Sequence, residues 1–378
     1  MLENVLRVSL AVLALHAAGP APRAQSRAAP LWPGSRFAER DRERAVFSGL
    51  RFIYQTALDE ANFAAYGSDY LWCFYTVSES VSDPRVRREA RRMGLERARH
   101  WRRTRRELPA GADAGVVADF TFGDDAAASL GLPDARLRAE LRREAARFSA
   151  RDFLQFDPAS EGPPSDVPEE CAFDRASNRR GSTACRRCGR ALRMRTRQDV
   201  WYDALINAYA GERAGVPLGA TYEQVFRWLP SLRPYRAAGG DNDTGTEFYD
   251  TVYALTHVVY TLNDYGQFSL PPRWLPREFA FLRANLSEAV RRRDADMLGE
   301  FVDSLRAFGL TERDPEIRAG LEYLLANQNA DGSWGDTTER DIYLRYHPTW
   351  NAVAALSRYR FARGRSPRFA RVKNLPGV

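Results

Sequence analysis

Apolar residues recur at helical spacing along most of the chain. Over residues 42–65, Val46, Leu50, Ile53, Tyr54, Ala57, Ala61 and Phe63 follow one another mainly at steps of three and four, which places most of them on one helix face. Residues 84–106 form a heavily charged amphipathic segment. Further helical stretches fall near 68–80, 112–130, 133–150, 196–212, 221–230, 247–264, 276–291, 294–308, 314–328 and 347–361, and no strand-like alternation persists beyond a few residues. Pro272, Pro276, Asp314-Pro315 and Pro348 mark helix starts, because a proline at the first helical position loses no hydrogen bond. The pattern predicts an all-α protein of about a dozen helices in short hairpins. Paired as about six hairpins, they can close into an α/α toroid whose inner helices face a central cavity. An open superhelical stack would show one strict repeat, and the spacing here is irregular.

Breaks in that rhythm set the domain limits. Residues 1–26 join Arg7 to an apolar stretch from Val8 to Ala18 and small residues near Ala24, which reads as a signal peptide or an amino-terminal anchor. Membrane association is expected through that segment alone, and the destination is secretion, a secretory-pathway lumen or a periplasm. A linker over 27–40 follows, then the first toroid half at 41–156, a Cys-containing insert at 157–198, the second half at 199–365 and a tail at 366–378. Two sequons, Asn242-Asp243-Thr244 and Asn285-Leu286-Ser287, fit an exported glycoprotein. Three of the four cysteines, Cys171, Cys185 and Cys188, lie in the insert; Cys73 lies in the apolar run YLWCFY. In an oxidising compartment the insert is expected to be closed by a disulfide from Cys171 to Cys185 or Cys188. The rival is a zinc knuckle on Cys185-Arg-Arg-Cys188 with Cys171 as third ligand.

Composition narrows the function classes. With 378 residues, 44% hydrophobic and 12% aromatic, the chain can bury a large core, which excludes a disordered tail or a disulfide miniprotein. The net charge of +7 suggests nucleic acid until the cations are read singly: of the 56, Lys373 alone is lysine, and 49 acids are interspersed among the arginines. Without clustered basic residues and interleaved stacking residues, no nucleic-acid partner is expected.

Residues 320–334, GLEYLLANQNADGSW, carry Gly320, Tyr323, Leu324, Gln328, Gly332 and Trp334 in the order of the QW repeat, and so resemble the terpenoid cyclase and protein prenyltransferase superfamily. The resemblance covers mainly residues 247–361. It implies an α/α toroid in which the Gln side chain bonds the amino end of the next helix and the Trp stacks over it. Tyr346-His347-Pro348-Thr349-Trp350 is similar to the zinc-histidine context of prenyltransferases, but the Asp-x-Cys ligand pair has no counterpart. Asp241-Asn242-Asp243-Thr244 looks like the Asp-x-Asp-Asp acid of class II cyclases without its fourth acid. A third similarity, to pectate lyases with a QxxDGGW stretch, implies a glycan lyase.

Chemistry concentrates in YDTVYALTHVVYTLNDYG, residues 249–266, where Asp250, Tyr253, His257, Tyr260 and Asp264 recur at steps of three or four. A polar stripe on an otherwise apolar helix fits an inner helix lining a cavity. His257 and His347, with Asp250, Asp264, Tyr253 and Tyr346, are the catalytic candidates. His257, His347 and Asp341 are the candidate ligands for a transition metal such as zinc, a three-ligand set with an open position. The acids near 241–247 and Asn329, Asp331 and Asp336 read as helix-entry turns, with calcium as the weaker alternative. Glu300 and Asp303 read as a solvent-facing pair. The leading expectation is an enzyme using His/Asp acid–base or metal-assisted chemistry on a small molecule, glycan or peptide. The alternative is a non-catalytic binding or scaffold module.

Overall fold

The computed structural model describes residues 30–169, 171, 173–174, 176, 178–179, 182–237, 246–364 and 366–375. The segment expected to be a signal peptide or anchor (1–26) and residues 241–245 of the expected helix-entry turn, with the sequon at Asn242, lie outside the described residues. The protein is all-α. Its helices are α1 (Glu39–Leu58), α2 (Glu60–Ser80), α3 (Pro84–Thr104), α4 (Ala114–Ser129), α5 (Ala135–Ala145), α6 (Ala150–Leu154), α7 (Arg197–Ala214), α8 (Tyr222–Phe226), α9 (Thr246–Leu262), α10 (Pro276–Arg292), α11 (Ala295–Ala307), α12 (Pro315–Ala326), α13 (Tyr343–Leu356) and α14 (Pro367–Val372). The strand content among the described residues is one short antiparallel pair, β1 (Val167–Pro168) with β2 (Met194–Arg195), at the base of the insert.

Helix boundaries follow local chemistry. The helix expected across 42–65 divides at Asp59, whose carboxylate leaves the first helix and accepts from the Asn62 amide at 2.9 Å to start the second. Asp83, Asp113 and Asp134 cap α3, α4 and α5 in the same way. Pro276 and Pro315 occupy first turns as expected, but Pro348 does not: α13 begins at Tyr343 and carries Pro348 inside it. That earlier start sets Tyr343 and His347 one turn apart on the same face.

The packing separates two kinds of helix. α3, α5 and α10 bury one stripe and send arginines outward. α2, α4, α7, α9, α11 and α13 are buried over most of their surface, and their contacts run in a cycle, α2 on α4, α4 on α7, α7 on α9, α9 on α11, α11 on α13 and α13 back on α2. Among the described residues no helix is long and apolar enough to cross a membrane.

The turn after α12 binds the far end of the chain to its start. Gln328 Nε2 donates to the carbonyls of Ala45 in α1 (2.9 Å) and Gly332 (3.0 Å). Fully buried Trp334 donates its indole N–H to Leu324 O at 2.8 Å, and its backbone N–H to Thr349 Oγ1 at 3.0 Å. The glutamine therefore reaches the first helix, not the amino end of the next one as the repeat had implied. A β-carbon on Gly49 would lie 2.9 Å from the Trp334 ring, and one on Gly332, at φ +93°, would lie 2.6 Å from Ser48 O. The sequon at Asn285 is corrected too: this side chain is buried in α10 and donates to Phe281 O, which leaves no room for a glycan.

Trp334→Ala should destabilise the protein by about 3–5 kcal/mol, the usual cost of deleting a buried tryptophan ring. Urea unfolding followed by circular dichroism measures it; a loss under about 1 kcal/mol would show that the turn does not hold α1.

Candidate functional site

All six helices of the cycle contribute to one cavity of about 410 Å³. α2 supplies Asp69, Trp72 and Thr76; α4 supplies Phe122; α7 supplies Tyr202 and Asp203. α9 presents Tyr253, His257 and Tyr260, α11 presents Asp296, Glu300 and Asp303, and α13 presents Tyr343, His347, Trp350 and Asn351. Tyr265 and Tyr359 close the wall from loops. Both histidines singled out from sequence line this cavity, and so does Tyr253.

The two imidazoles are held differently. His257 Nδ1 lies 2.8 Å from the Tyr253 carbonyl, which can only accept, so Nδ1 carries the proton and Nε2 keeps its lone pair. The ring lies roughly parallel to Tyr202, with centroids 5.3 Å apart. Burial lowers its pKa to about 4; the Tyr253 bond opposes that shift and the nearby His347 adds to it. At neutral pH His257 is an uncharged base.

His347 Nδ1 donates to Asp296 Oδ1 at 2.9 Å, and its ring stacks on Tyr343 with centroids 4.9 Å apart. Burial works against its charged form, but the Asp296 carboxylate outweighs it and raises the pKa to about 9. The same pairing holds Asp296 below the usual carboxylate range against the opposing effect of burial. Asp296 also accepts from Tyr253 OH at 2.8 Å and Asn351 Nδ2 at 2.7 Å, which fixes the carboxylate that fixes the ring.

One turn along α11, Glu300 is almost wholly buried and accepts from Thr256 Oγ1. Burial and the Asp296 charge push its pKa up to about 8, so it carries a proton at neutral pH. Burial also raises Asp303 to about 6. The reading of Glu300 and Asp303 as a solvent-facing pair is thus corrected: with Asp296 they form an i, i+4, i+7 face toward the cavity. Tyr260 OH is buried and has no hydrogen-bond partner among the described residues.

Four other candidates stand elsewhere. Asp264 is corrected: α9 ends at Leu262, so the residue leaves the helical face and binds Tyr209 OH (2.6 Å), Arg368 (2.9 Å) and Arg213 (3.3 Å). Asp250 sits behind the wall and accepts from Thr196 Oγ1 at 2.8 Å; burial lifts its pKa to about 6. Tyr346 donates to Asp69 Oδ2 at 2.6 Å and so supports a lining residue without lining the cavity itself. Asp341 is exposed, accepts from Tyr343 N and Tyr66 OH, and does not converge with the histidines. The set His257, His347 and Asp341 is therefore not a metal site in this geometry. The turn acids are also spent: Asp331 binds Ser333 and Arg345, and Asp336 binds Thr338. Among the described residues the one grouping of three or more metal-ligating side chains is Cys171, Asp174, Cys185 and Cys188.

Residues 184–357 match the model of a family described as a domain of unknown function, DUF6895. The matched stretch contains α7 to α13, with His257, Asp296, Glu300 and His347. No curated protein and no solved structure matches the chain.

Two titrations check the site. The ring-proton resonances of His257 and His347 should titrate near 4 and near 9, on opposite sides of the ordinary value of about 6.5. Two midpoints near 6.5 would remove the assigned protonation states.

Stability should also fall on the alkaline side. The contribution of Glu300 is fully present below about pH 4.5 and lost as pH rises through about 8, because only the folded state holds that proton. His347 acts in the same direction, present below about pH 6.5 and lost through about 9. Glu300→Gln keeps the neutral form at every pH, so its urea midpoint should fall less than that of the native chain between about pH 5 and about pH 8. Parallel slopes would mean that Glu300 titrates normally.

Proposed function

We propose that the cycle of inner helices is an α/α toroid and that its cavity is the active site of an enzyme using paired general base and general acid catalysis. One observation carries this reading: two histidines line one cavity with Nδ1 committed to different partners, and burial leaves His257 neutral while Asp296 keeps His347 charged. His257 Nε2 can take a proton from a substrate, and His347, charged and oriented by Asp296, can deliver one from its own Nε2. Protonated Glu300 and Tyr260 OH are further donors for a developing negative charge.

The lining also selects a substrate class. Asp69, Asp203, Asp296 and Asp303 reach the cavity beside the protonated Glu300, whereas no Arg or Lys does among the described residues. A polyanion such as pectate, or a prenyl diphosphate, meets an acidic wall there. The aromatic faces of Trp72, Tyr202, Tyr343 and Trp350 suit apolar ring faces instead. We assign the substrate to neutral or cationic small molecules with exposed hydroxyl or amino groups, glycans included, and the reaction to proton transfer at two positions.

A thermal-shift screen of neutral glycans, amines and acidic controls identifies binders, whose turnover is then measured. His257→Ala and His347→Gln should each lower turnover by roughly 10²–10⁴-fold while binding persists. Unchanged turnover in both variants, or tight binding of acidic controls alone, would overturn the proposal; binders that are never turned over would leave the non-catalytic binding module as the better account.

A further inference from the structure

Among the described residues, the insert between α6 and α7 has almost no apolar core of its own. Cys171, Ala176 and Cys185 are its buried hydrophobic cluster, with Cys188 and Leu192 packed beside them. So small a nucleus cannot offset the entropy of ordering a loop of this length, and small modules of that kind are usually held by a cross-link or a metal.

Hydrogen bonds among the described residues nevertheless tie down the backbone around the cysteines. The second arm is a tight hairpin: Cys185 N donates to Arg190 O at 2.7 Å, Gly189 N to Cys185 O at 2.8 Å, and Leu192 N to Thr183 O at 3.0 Å. Gly189 turns the chain at φ +73°, a conformation open to glycine. The Arg187 amide points at Cys185 Sγ from 3.4 Å, the kind of N–H···S contact that favours a thiolate. On the first arm, Cys171 N donates to Ala176 O at 3.1 Å and Asp174 Oδ1 accepts from Ala176 N. Asn178 joins the arms by accepting from Arg186 N at 2.8 Å.

These turns bring four ligand atoms together. Cys171 Sγ and Cys188 Sγ lie 3.5 Å apart, Cys185 Sγ lies 3.6 Å from both Asp174 oxygens, and one atom from each residue fits within a spread of 4.8 Å. A tetrahedral zinc with Zn–S near 2.3 Å and Zn–O near 2.0 Å has S···S edges of about 3.8 Å and S···O edges of about 3.5 Å. The expected disulfide is not formed: 3.5 Å is far beyond the bond length of about 2.05 Å. A Cys171–Cys188 bond would also leave the approach of Cys185 and Asp174 without a reason.

We propose that Cys171, Asp174, Cys185 and Cys188 bind one zinc ion as a closed structural site, separate from the histidine cavity. Three thiolates and a carboxylate carry four negative charges against two on the metal, and Arg186, Arg187 and Arg190 flank the excess. With all four positions filled by protein, the metal orders the insert and takes no substrate. The assignment replaces the disulfide and, with it, the redox argument for export.

The full chain, purified under reducing conditions, should hold one zinc per molecule by elemental analysis. The double variant Cys185→Ser, Cys188→Ser should retain less than about a tenth of that, with its helical circular dichroism intact, while His257→Ala with His347→Gln should keep the full equivalent. Cobalt in place of zinc should give the thiolate charge-transfer and tetrahedral d–d bands of a three-sulfur site. If the double variant does not fold, a thiol-specific mercurial added to the native protein should release the zinc to a chromogenic chelator. Absence of zinc even after its addition, zinc retained by the folded cysteine variant or lost with the histidines, or non-reduced mass mapping that finds the cysteines paired, would each overturn the site.

Discussion

The contact of the Gln328–Trp334 turn with α1 is the constraint on which the rest of the molecule depends. A row of helical hairpins has two ends, and each leaves an apolar helix face without a neighbour. Here the last hairpin meets the first helix: the Gln328 amide bonds Ala45 O, and Gly49 leaves room for the Trp334 ring. The close approach requires small residues at two points, Gly49 in α1 and Gly332 in the turn. The cycle of contacts also decides what these six helices can carry, since a polar side chain turned toward their common side faces a shared cavity and not bulk water.

That cavity concentrates charge where solvation is poor. α11 alone brings Asp296, Glu300 and Asp303 inward, and an unpaired buried carboxylate is strongly unfavourable. The conflict is resolved differently along the helix. Asp296 stays ionised by sharing its oxygens among His347, Tyr253 and Asn351, whereas Glu300, beside that charge, holds its proton. His257, without an acidic partner of its own, is left neutral. The charged His347 and the protonated Glu300 are thus products of one electrostatic arrangement: moving the Asp296 charge would alter both together.

The sequence made the helical rhythm legible because inner and outer helices both obey the same period. His257 was legible for a stronger reason, since its polar stripe interrupts a helix that is apolar elsewhere. GEFVDSLRAFG carries only a weaker form of that signal, with Phe301, Val302 and Leu305, all buried, around Glu300 and Asp303. Two acids spaced for a helix look alike on a solvated face and a cavity face, and only closure tells them apart. Asp264 keeps the spacing of the stripe but not its face, because the helix stops at Leu262. Asp341 misled because position in the chain says nothing about reach: it is spent on the start of α13, while Asp296, from the neighbouring helix, holds the histidine. Tyr343 carries no sequence signal of its own, because a helix that starts at Pro348 leaves it outside.

The insert and the cavity are joined by a short run of backbone. β2 ends at Arg195, which pairs with Asp199 and with the cavity residue Asp203, and the next residue, Thr196, both caps α7 and donates to Asp250 of α9. The Cys188 ligand stands only seven residues before Arg195. Whatever orders the cysteine hairpin therefore also limits where β2 can place the Arg195 guanidinium, and that cation is what offsets the Asp203 carboxyl on the cavity wall. The two sites need share no ligand and no chemistry for the folding of one to set the electrostatics of the other.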